Sequence, residues 1–367
     1  MRKKILIVTG LYPPDVGGPA TYTALIEKRL TEKGFIISVF AFREVHHFPV
    51  IIRHMVYGIK MLRLIFHNDV VFAQDPMTAG IASIATLIIP RPFYARVTGD
   101  YAWEQGTQRF GVTSSLDDFN PQQERIIVRV ISMLQRFSLK RATIVVVPSE
   151  YLKKIVKTWG VVEKKIQVIY NAIDIPTLSS KLDLRRELQI DGKVIISAGR
   201  FVPWKNFDVL IKAFSQFRDD KMNVRLIIAG DGPQRKLLLQ LVHELQISDR
   251  VLFTGSISNN ELLKYLKAGD VFVLNSSYEG LSHVLIEAVL LGTPIIATAI
   301  GGNPEVLKDY TLSCQTKDPG NINELAAAIK KVLNINISDA EREEARNEKK
   351  EQFSSHRLIK ELSELLV

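Results

Sequence analysis

Two glutamates eight residues apart, Glu279 and Glu287, stand out in the segment Asn275-Ser-Ser-Tyr-Glu-Gly-Leu-Ser-His-Val-Leu-Ile-Glu-Ala288. Glu287 falls among Leu285, Ile286, Ala288 and Val289, where an unpaired carboxylate is costly. It must meet either a hydroxyl-rich ligand or an internal cationic partner. Between the glutamates, the N–H groups near Leu281, Ser282 and His283 open a helix and can hold phosphate oxygens. A second cluster, Ser197-Ala-Gly-Arg-Phe-Val-Pro-Trp-Lys-Asn206, puts Arg200 and Lys205 in one loop after an apolar run. Arginine can fork two oxygens and lysine supplies a compact charge, a combination suited to a diphosphate. Taken alone, the same loop also reads as solvated surface cations. A third cluster, Thr9-Gly-Leu-Tyr-Pro-Pro-Asp-Val-Gly-Gly18, brings Gly17 and Gly18 to the start of a helical pattern. There the backbone can approach a phosphate, or the pair makes a plain tight turn.

These clusters follow apolar runs, which is where ligands bind in open α/β sheets. Short apolar runs alternate with longer helical patterns, the signature of βαβ units and parallel sheets. In the first half the strands are expected at Ile5–Thr9, Ile36–Phe42, Val70–Ala73, Phe93–Val97 and Ile144–Val147. In the second they are expected at Val168–Ile169, Val194–Ala198, Arg225–Ala229, Val251–Thr254, Val271–Leu274 and Pro294–Ala297. A chain of 367 residues exceeds the size at which one core stops growing. Two Rossmann-like domains are expected, residues 1–175 and 176–351, with Tyr170–Asp174 leading into the linker. Asp339–Glu351 reads as a solvated helix face, and 352–367 as a final helix returning to the first domain.

Hydrophobic content of 46% with 24% charge excludes a disordered chain. The lone Cys314 excludes an internal disulfide or a cysteine-based zinc cluster, and fits a reducing, cytoplasmic compartment. The N-terminal apolar run is too short for a signal peptide, and no stretch approaches a membrane span. His46, His47 and His54 lack metal-ligand spacing. The net charge of +9 is uneven: residues 1–175 hold 23 Lys and Arg against 14 Asp and Glu, while 176–367 hold 25 of each.

In their order, these pieces resemble the large family of retaining, nucleotide-sugar-dependent glycosyltransferases with the GT-B fold. Its signature, a Glu, seven residues and a second Glu, reads Glu279-Gly-Leu-Ser-His-Val-Leu-Ile-Glu287 here. The likeness spans nearly the whole chain. It takes in the Pro-Pro…Gly-Gly turn, Gly199-Arg200…Lys205-Asn206, Ala229-Gly-Asp-Gly-Pro233, Val251-Leu-Phe-Thr-Gly255, Gly292-Thr-Pro294 and Gly301-Gly302…Glu305.

The resemblance implies an α/β GT-B enzyme whose two Rossmann-like domains face each other across a cleft, acceptor on the first and donor on the second. It implies that Arg200 and Lys205 bind the donor diphosphate, that Glu287 takes the ribose hydroxyls and that Glu279 contacts the transferred sugar. Gly18, beside Gly17, lets the entry loop approach phosphate or acceptor. Phe253–Ser256, including Gly255, lies beside the base. Gly230 belongs to the neighbouring loop, and Gly280, Leu281, Ser282 and His283 to the phosphate-proximal turn. No Asp-x-Asp occurs in the chain, so the two cations stand in for a divalent metal. Neither metal nor cofactor is expected, only a UDP- or GDP-sugar. Where many relatives carry a sugar-contacting histidine, this chain reads Thr98-Gly-Asp-Tyr-Ala-Trp-Glu104. Asp100 either takes over that contact or caps the following helix. His283 lies inside the signature, but a helix-terminal histidine suits packing or phosphate proximity better than a base.

In Arg53–His67, Arg53, Lys60, Arg63 and His67 fall in one helical sector, with Met55, Ile59, Leu62, Ile65 and Phe66 opposite. Arg125, Arg129, Arg136 and Lys140 align in the same way. The first domain is therefore expected to touch an anionic membrane, on the inner face, and to use a lipid-linked or glycan acceptor. Nucleic acid is not expected, since no aromatic-interleaved basic pattern appears. Competing readings are a GT-B sugar-nucleotide epimerase or hydrolase, and a catalytically silent sugar-binding protein. Retention of Arg200, Lys205 and both glutamates argues against silence.

Overall fold

A computed structural model describes residues 2–15, 17–218 and 222–366; Val16 of the entry turn and residues 219–221 lie outside them. The chain divides into two compact units, one of residues 1–172 with 353–367, the other of 173–352.

The first unit holds strands β1 (Lys4–Thr9), β2 (Ile36–Ala41), β3 (Val70–Ala73), β4 (Phe93–Arg96), β5 (Ile144–Val147) and β6 (Ile166–Val168). All pair in parallel, in the order β2-β1-β3-β4-β5-β6. Strands such as Val70–Ala73 are buried on both faces, which explains their unbroken apolar runs. One correction concerns β6: the strand expected at Val168–Ile169 in the second half instead runs over Ile166–Val168, pairs with β5 and closes the first sheet. One face of the sheet is covered by helices Val50–Phe66, Pro76–Ile88 and Ile126–Arg141, which contribute Tyr57, Met61, Ile65, Ala79, Ala82 and Leu139 to the core. The other face is covered by helix Gly18–Glu32 and the terminal helix Ser355–Leu366. A second correction concerns helix Val50–Phe66. Met55, Ile59 and Phe66, expected on its inner side, are exposed, and only Ile65 of the expected set is fully buried.

The second unit holds β7 (Lys193–Ala198), β8 (Val224–Ala229), β9 (Val251–Gly255), β10 (Val271–Leu274), β11 (Ile295–Thr298) and β12 (Ser313–Thr316). Their order is β12-β11-β10-β7-β8-β9, again all parallel. From β7 the chain runs outward through β8 and β9, then returns to start β10 beside β7. The switch point therefore lies between β7 and β10; in the first unit it lies between β1 and β3. A crevice beyond the carboxyl ends of the strands forms at such points.

Candidate active site

The switch point of the second unit gathers most of the residues singled out in the sequence. The loop after β7 carries Arg200 and Lys205, and the loop after β10 carries Glu279. The two loops are stitched together. Asn206 Nδ2 donates to the Asn275 carbonyl at 3.0 Å, and the Ser277 N–H donates to the Trp204 carbonyl at 2.8 Å. Lys205 Nζ lies 2.5 Å from Glu279 Oε1, and Ser276 Oγ donates to the same oxygen at 2.6 Å. Both side chains of the ion pair are mostly buried, at 14% and 10% exposure, so the pair is held in a partly desolvated setting. Arg200 stands exposed in the same loop.

Glycines let the backbones pack closely around this pair. Gly230 has φ of 135°, and a Cβ there would fall 2.0 Å from the Gly199 carbonyl oxygen. The Gly230 N–H donates to the Gly255 carbonyl at 2.9 Å, so the loops after β7, β8 and β9 form one surface. On the other side, the Gly302 N–H donates to the Glu279 carbonyl at 2.9 Å, and a Cβ at Gly302 would lie 2.3 Å from the Gly280 carbonyl oxygen. Phe253 is half-buried, its ring edge-on to Phe201 with centroids 6.0 Å apart.

Helix His283–Leu290 starts beside Glu279. Ser282 caps it, its Oγ accepting from the Leu285 N–H, and Leu281 before it is buried. His283 is the first helical residue and half-buried. Glu287, one turn on, is 6% exposed. Burial pushes its carboxyl up to about 7, opposed only by a hydrogen bond from Asn259. No cation among the described residues acts on it, so of the two partners open to Glu287, the internal cation is missing. Asn259, from the start of helix Asn259–Ala268, was not singled out in the sequence; it lies 28 positions away with nothing local to mark it.

In the first unit, Gly17 takes φ of 144° ahead of helix Gly18–Glu32, a conformation open to glycine, and among the described residues no side chain caps that helix start. Asp75, also missed in the sequence, sits just past β3. It accepts from the Gly10 N–H at 2.6 Å and from the Thr78 N–H at 2.9 Å, tying the loop after β1 to helix Pro76–Ile88. Asp100 is 2% exposed. Its Oδ1 accepts from the Trp103 N–H at 3.0 Å, and Gln135 Nε2 donates to it at 3.4 Å. Of the two roles left open for Asp100, the capping role is therefore occupied, and burial raises its carboxyl above the usual range. His46 and His54 pack on Phe42. Among the described residues, no group of three or more His, Cys, Asp or Glu is placed to hold a metal, and no helix is long and apolar enough to cross a membrane.

Comparison with known proteins follows this division. Residues 16–176 match the model of Glycosyltransferase Family 4, and residues 180–352 match that of Glycosyl transferases group 1. An uncharacterised glycosyltransferase of Methanocaldococcus jannaschii is 30% identical over 56% of this chain and 54% of the relative. The N-acetyl-alpha-D-glucosaminyl L-malate synthase of Bacillus anthracis is 28% identical over 94% of this chain and 92% of the relative. The match thus spans about half the length of the first relative and nearly all of the second. Among solved structures, Anabaena HepE in complex with UDP-glucose superposes with a TM-score of 0.77 at 21% identity, over 99% of both chains. That likeness shows the fold, two parallel α/β units as in GT-B enzymes. With one family model on each half, the chain is a glycosyltransferase whose first part belongs to Glycosyltransferase Family 4 and whose second part belongs to the glycosyl transferases group 1.

Proposed function

We propose that this enzyme is a retaining hexosyltransferase that takes its sugar from a UDP- or GDP-linked donor and passes it to a lipid-linked or saccharide acceptor, without metal or cofactor. The Lys205–Glu279 ion pair carries the reading. The residue assigned to the diphosphate and the residue assigned to the sugar stand 2.5 Å apart. Groups that grip the two sides of one sugar–phosphate bond must be neighbours in this way. Glu287 adds support: a carboxyl buried without a cation has hydrogen-bonding capacity that ribose hydroxyls can use. A solved fold relative holding UDP-glucose is consistent with a nucleotide-sugar donor.

In the proposed reaction the bond between the anomeric carbon and the diphosphate oxygen breaks, and its electron pair leaves with the phosphate. The acceptor hydroxyl bonds to the same face of that carbon and gives its proton to the departing phosphate. Charge grows on the diphosphate, so Arg200, Lys205 and the N–H groups at Gly280–His283 favour the transition state over the ground state. Glu279 orients the sugar while holding the Lys205 ammonium. For Asp100 we take the cap as its role, which steadies the Thr98–Asp100 turn of the first unit. The proposal also includes peripheral contact of that unit with an anionic membrane at the cytoplasmic face.

Steady-state kinetics with the donors test the assignment. Lys205→Ala and Glu279→Ala are each expected to lower kcat/KM at least tenfold, about 1.4 kcal/mol or more. Because the two act as one unit, the double variant should fall little below the worse single. Near-wild-type turnover in both singles would remove the site. Activity lost in EDTA and restored by a divalent cation would overturn metal independence, and donor consumed equally fast without any acceptor would favour the hydrolase reading.

A further inference from the structure

Thirteen of the 21 large apolar side chains exposed among the described residues stand on three helices of the first unit. A solvated outer face would not collect them there. Helix Pro76–Ile88 packs against Val50–Phe66 and against Ile126–Arg141, which places it between them. All three cover the same face of the sheet through their inner residues, so their outer sides form one surface. Met55, Ile59, Phe66, Ile88, Met133 and Phe137 are among the side chains on it, with Phe66 67% and Met133 61% exposed. An exposed apolar expanse of this kind marks a surface that something covers.

The charges narrow down what covers it. Helices Val50–Phe66 and Ile126–Arg141 carry Arg53, Lys60, Arg63, Arg129, Arg136, Lys140 and Arg141, and helix Pro76–Ile88 carries no charge. None of the three contains an aspartate or glutamate. The unit as a whole holds 25 Lys and Arg against 15 Asp and Glu, a net of +10. A second copy docking through this face would set cations against cations. An anionic lipid surface satisfies both features: acyl chains take the apolar side chains, and the long cationic side chains reach headgroup phosphates at the margins. No described helix is long and apolar enough to cross a membrane, so the contact is interfacial.

We infer that this three-helix face is an insertion surface that seats the first unit in an anionic bilayer, with apolar side chains entering the acyl boundary. The inference rests on the peripheral membrane contact proposed above and specifies its surface and its chemistry. Attraction through charge alone would be screened at high salt, whereas insertion would persist.

The test is sedimentation of the full chain with vesicles of phosphatidylglycerol and phosphatidylcholine, and with pure phosphatidylcholine, at low and high salt. Binding to the anionic vesicles is expected, with most of the bound fraction kept at high salt. Met133→Glu/Phe137→Glu should lower the partition coefficient at least tenfold, and Met133→Leu/Phe137→Leu should leave it near wild type. The UDP-induced thermal shift reports folding and should be the same in all three. Met133→Trp should show blue-shifted fluorescence on the vesicles. If wild type binds but the glutamate variant binds equally well, the membrane reading stands and this face is wrong. If no vesicle binds while wild type forms a dimer that the glutamate variant breaks, a second copy covers the face and both readings fall. No binding and a monomer throughout also overturns both.

Discussion

Glu287 is a buried carboxyl in the proposed donor site. Its carboxyl is pushed up to about 7 from an ordinary 4.5, first by burial, with Asn259 offsetting part of the effect. A raised carboxyl favours the protonated form in the folded state. Its contribution to stability is therefore complete below about pH 4.5 and is lost as pH climbs through 7. A shift of that size corresponds to on the order of 3 kcal/mol. The ligand-free protein should lose stability across this window, and Glu287→Gln should flatten the loss; thermal melts in a pH series check it. Ribose hydroxyls donate best to the carboxylate, so binding should respond in the opposite sense. Uridine or guanosine, which lack the phosphates' own titration, should bind more tightly as pH rises from 6 to 8. Calorimetry that finds the same slope in Glu287→Gln as in wild type would remove Glu287 from the ribose.

At the scale of loops and strands, the second-unit site depends on backbones approaching without side chains between them. Gly230 is the tightest case, with positive φ and a neighbouring carbonyl oxygen only 2.0 Å from where a Cβ would sit. Gly230→Ala must shift the backbone of Gly199, at a cost on the order of 3 kcal/mol, and should carry Lys205 away from Glu279. A fall in melting temperature with at least tenfold weaker UDP binding is expected. By contrast, Gly80 lies inside helix Pro76–Ile88 with open space around it, and Gly80→Ala should gain about 0.5–1 kcal/mol. Similar melting temperatures for the two variants would contradict the close-approach argument. The same distinction explains what was legible in the sequence. Val70–Ala73, Ile144–Val147 and Val271–Leu274 are strands with the ends their apolar runs predict, because strands buried on both faces must be apolar throughout. The edge strand Ser313–Thr316 pairs only with β11 and reads Ser-Cys-Gln-Thr, so no apolar run announces it. Ile166–Val168 is visible as an element, but its position along the chain does not say which sheet it joins. In the site, Lys205 and Glu279 were legible because their loops follow strands directly. Asn259 was not, since it meets Glu287 only through the fold; Asp75 also follows its strand directly, but its bond to Thr78 reads as an ordinary helix cap and its tie to the Gly10 N–H exists only in the fold.

At the scale of the whole chain, the first unit is completed by residues that come last. After the second unit ends at Gln352, the chain returns, and Phe353 meets Tyr170 edge-on with ring centroids 6.4 Å apart. Arg357 Nη2 donates to the Tyr170 carbonyl at 2.9 Å and Nη1 pairs with Glu361 at 2.8 Å. Helix Ser355–Leu366 then buries Leu358, Ile359, Leu362 and Leu366 in the core formed with helix Gly18–Glu32 and the sheet. Four such side chains are worth on the order of 10 kcal/mol of burial, comparable with the entire stability of a domain. A chain ending at Gln352 should therefore lose the first unit, while the second, with its own core around Phe201, Phe214 and Val273, stays folded. Since the residues proposed to hold the donor, Arg200, Lys205, Glu279 and Glu287, all lie in the second unit, the truncated chain should still bind UDP and show a UDP-dependent melting transition. It should also be digested selectively within residues 1–172 by dilute protease, have no transferase activity and, if the three-helix face is the bilayer seat, lose vesicle binding in its native form. Loss of UDP binding along with the first unit would mean that the second does not hold its donor site by itself; an unchanged melt with full protease resistance would mean that the terminal helix contributes little to the core it joins.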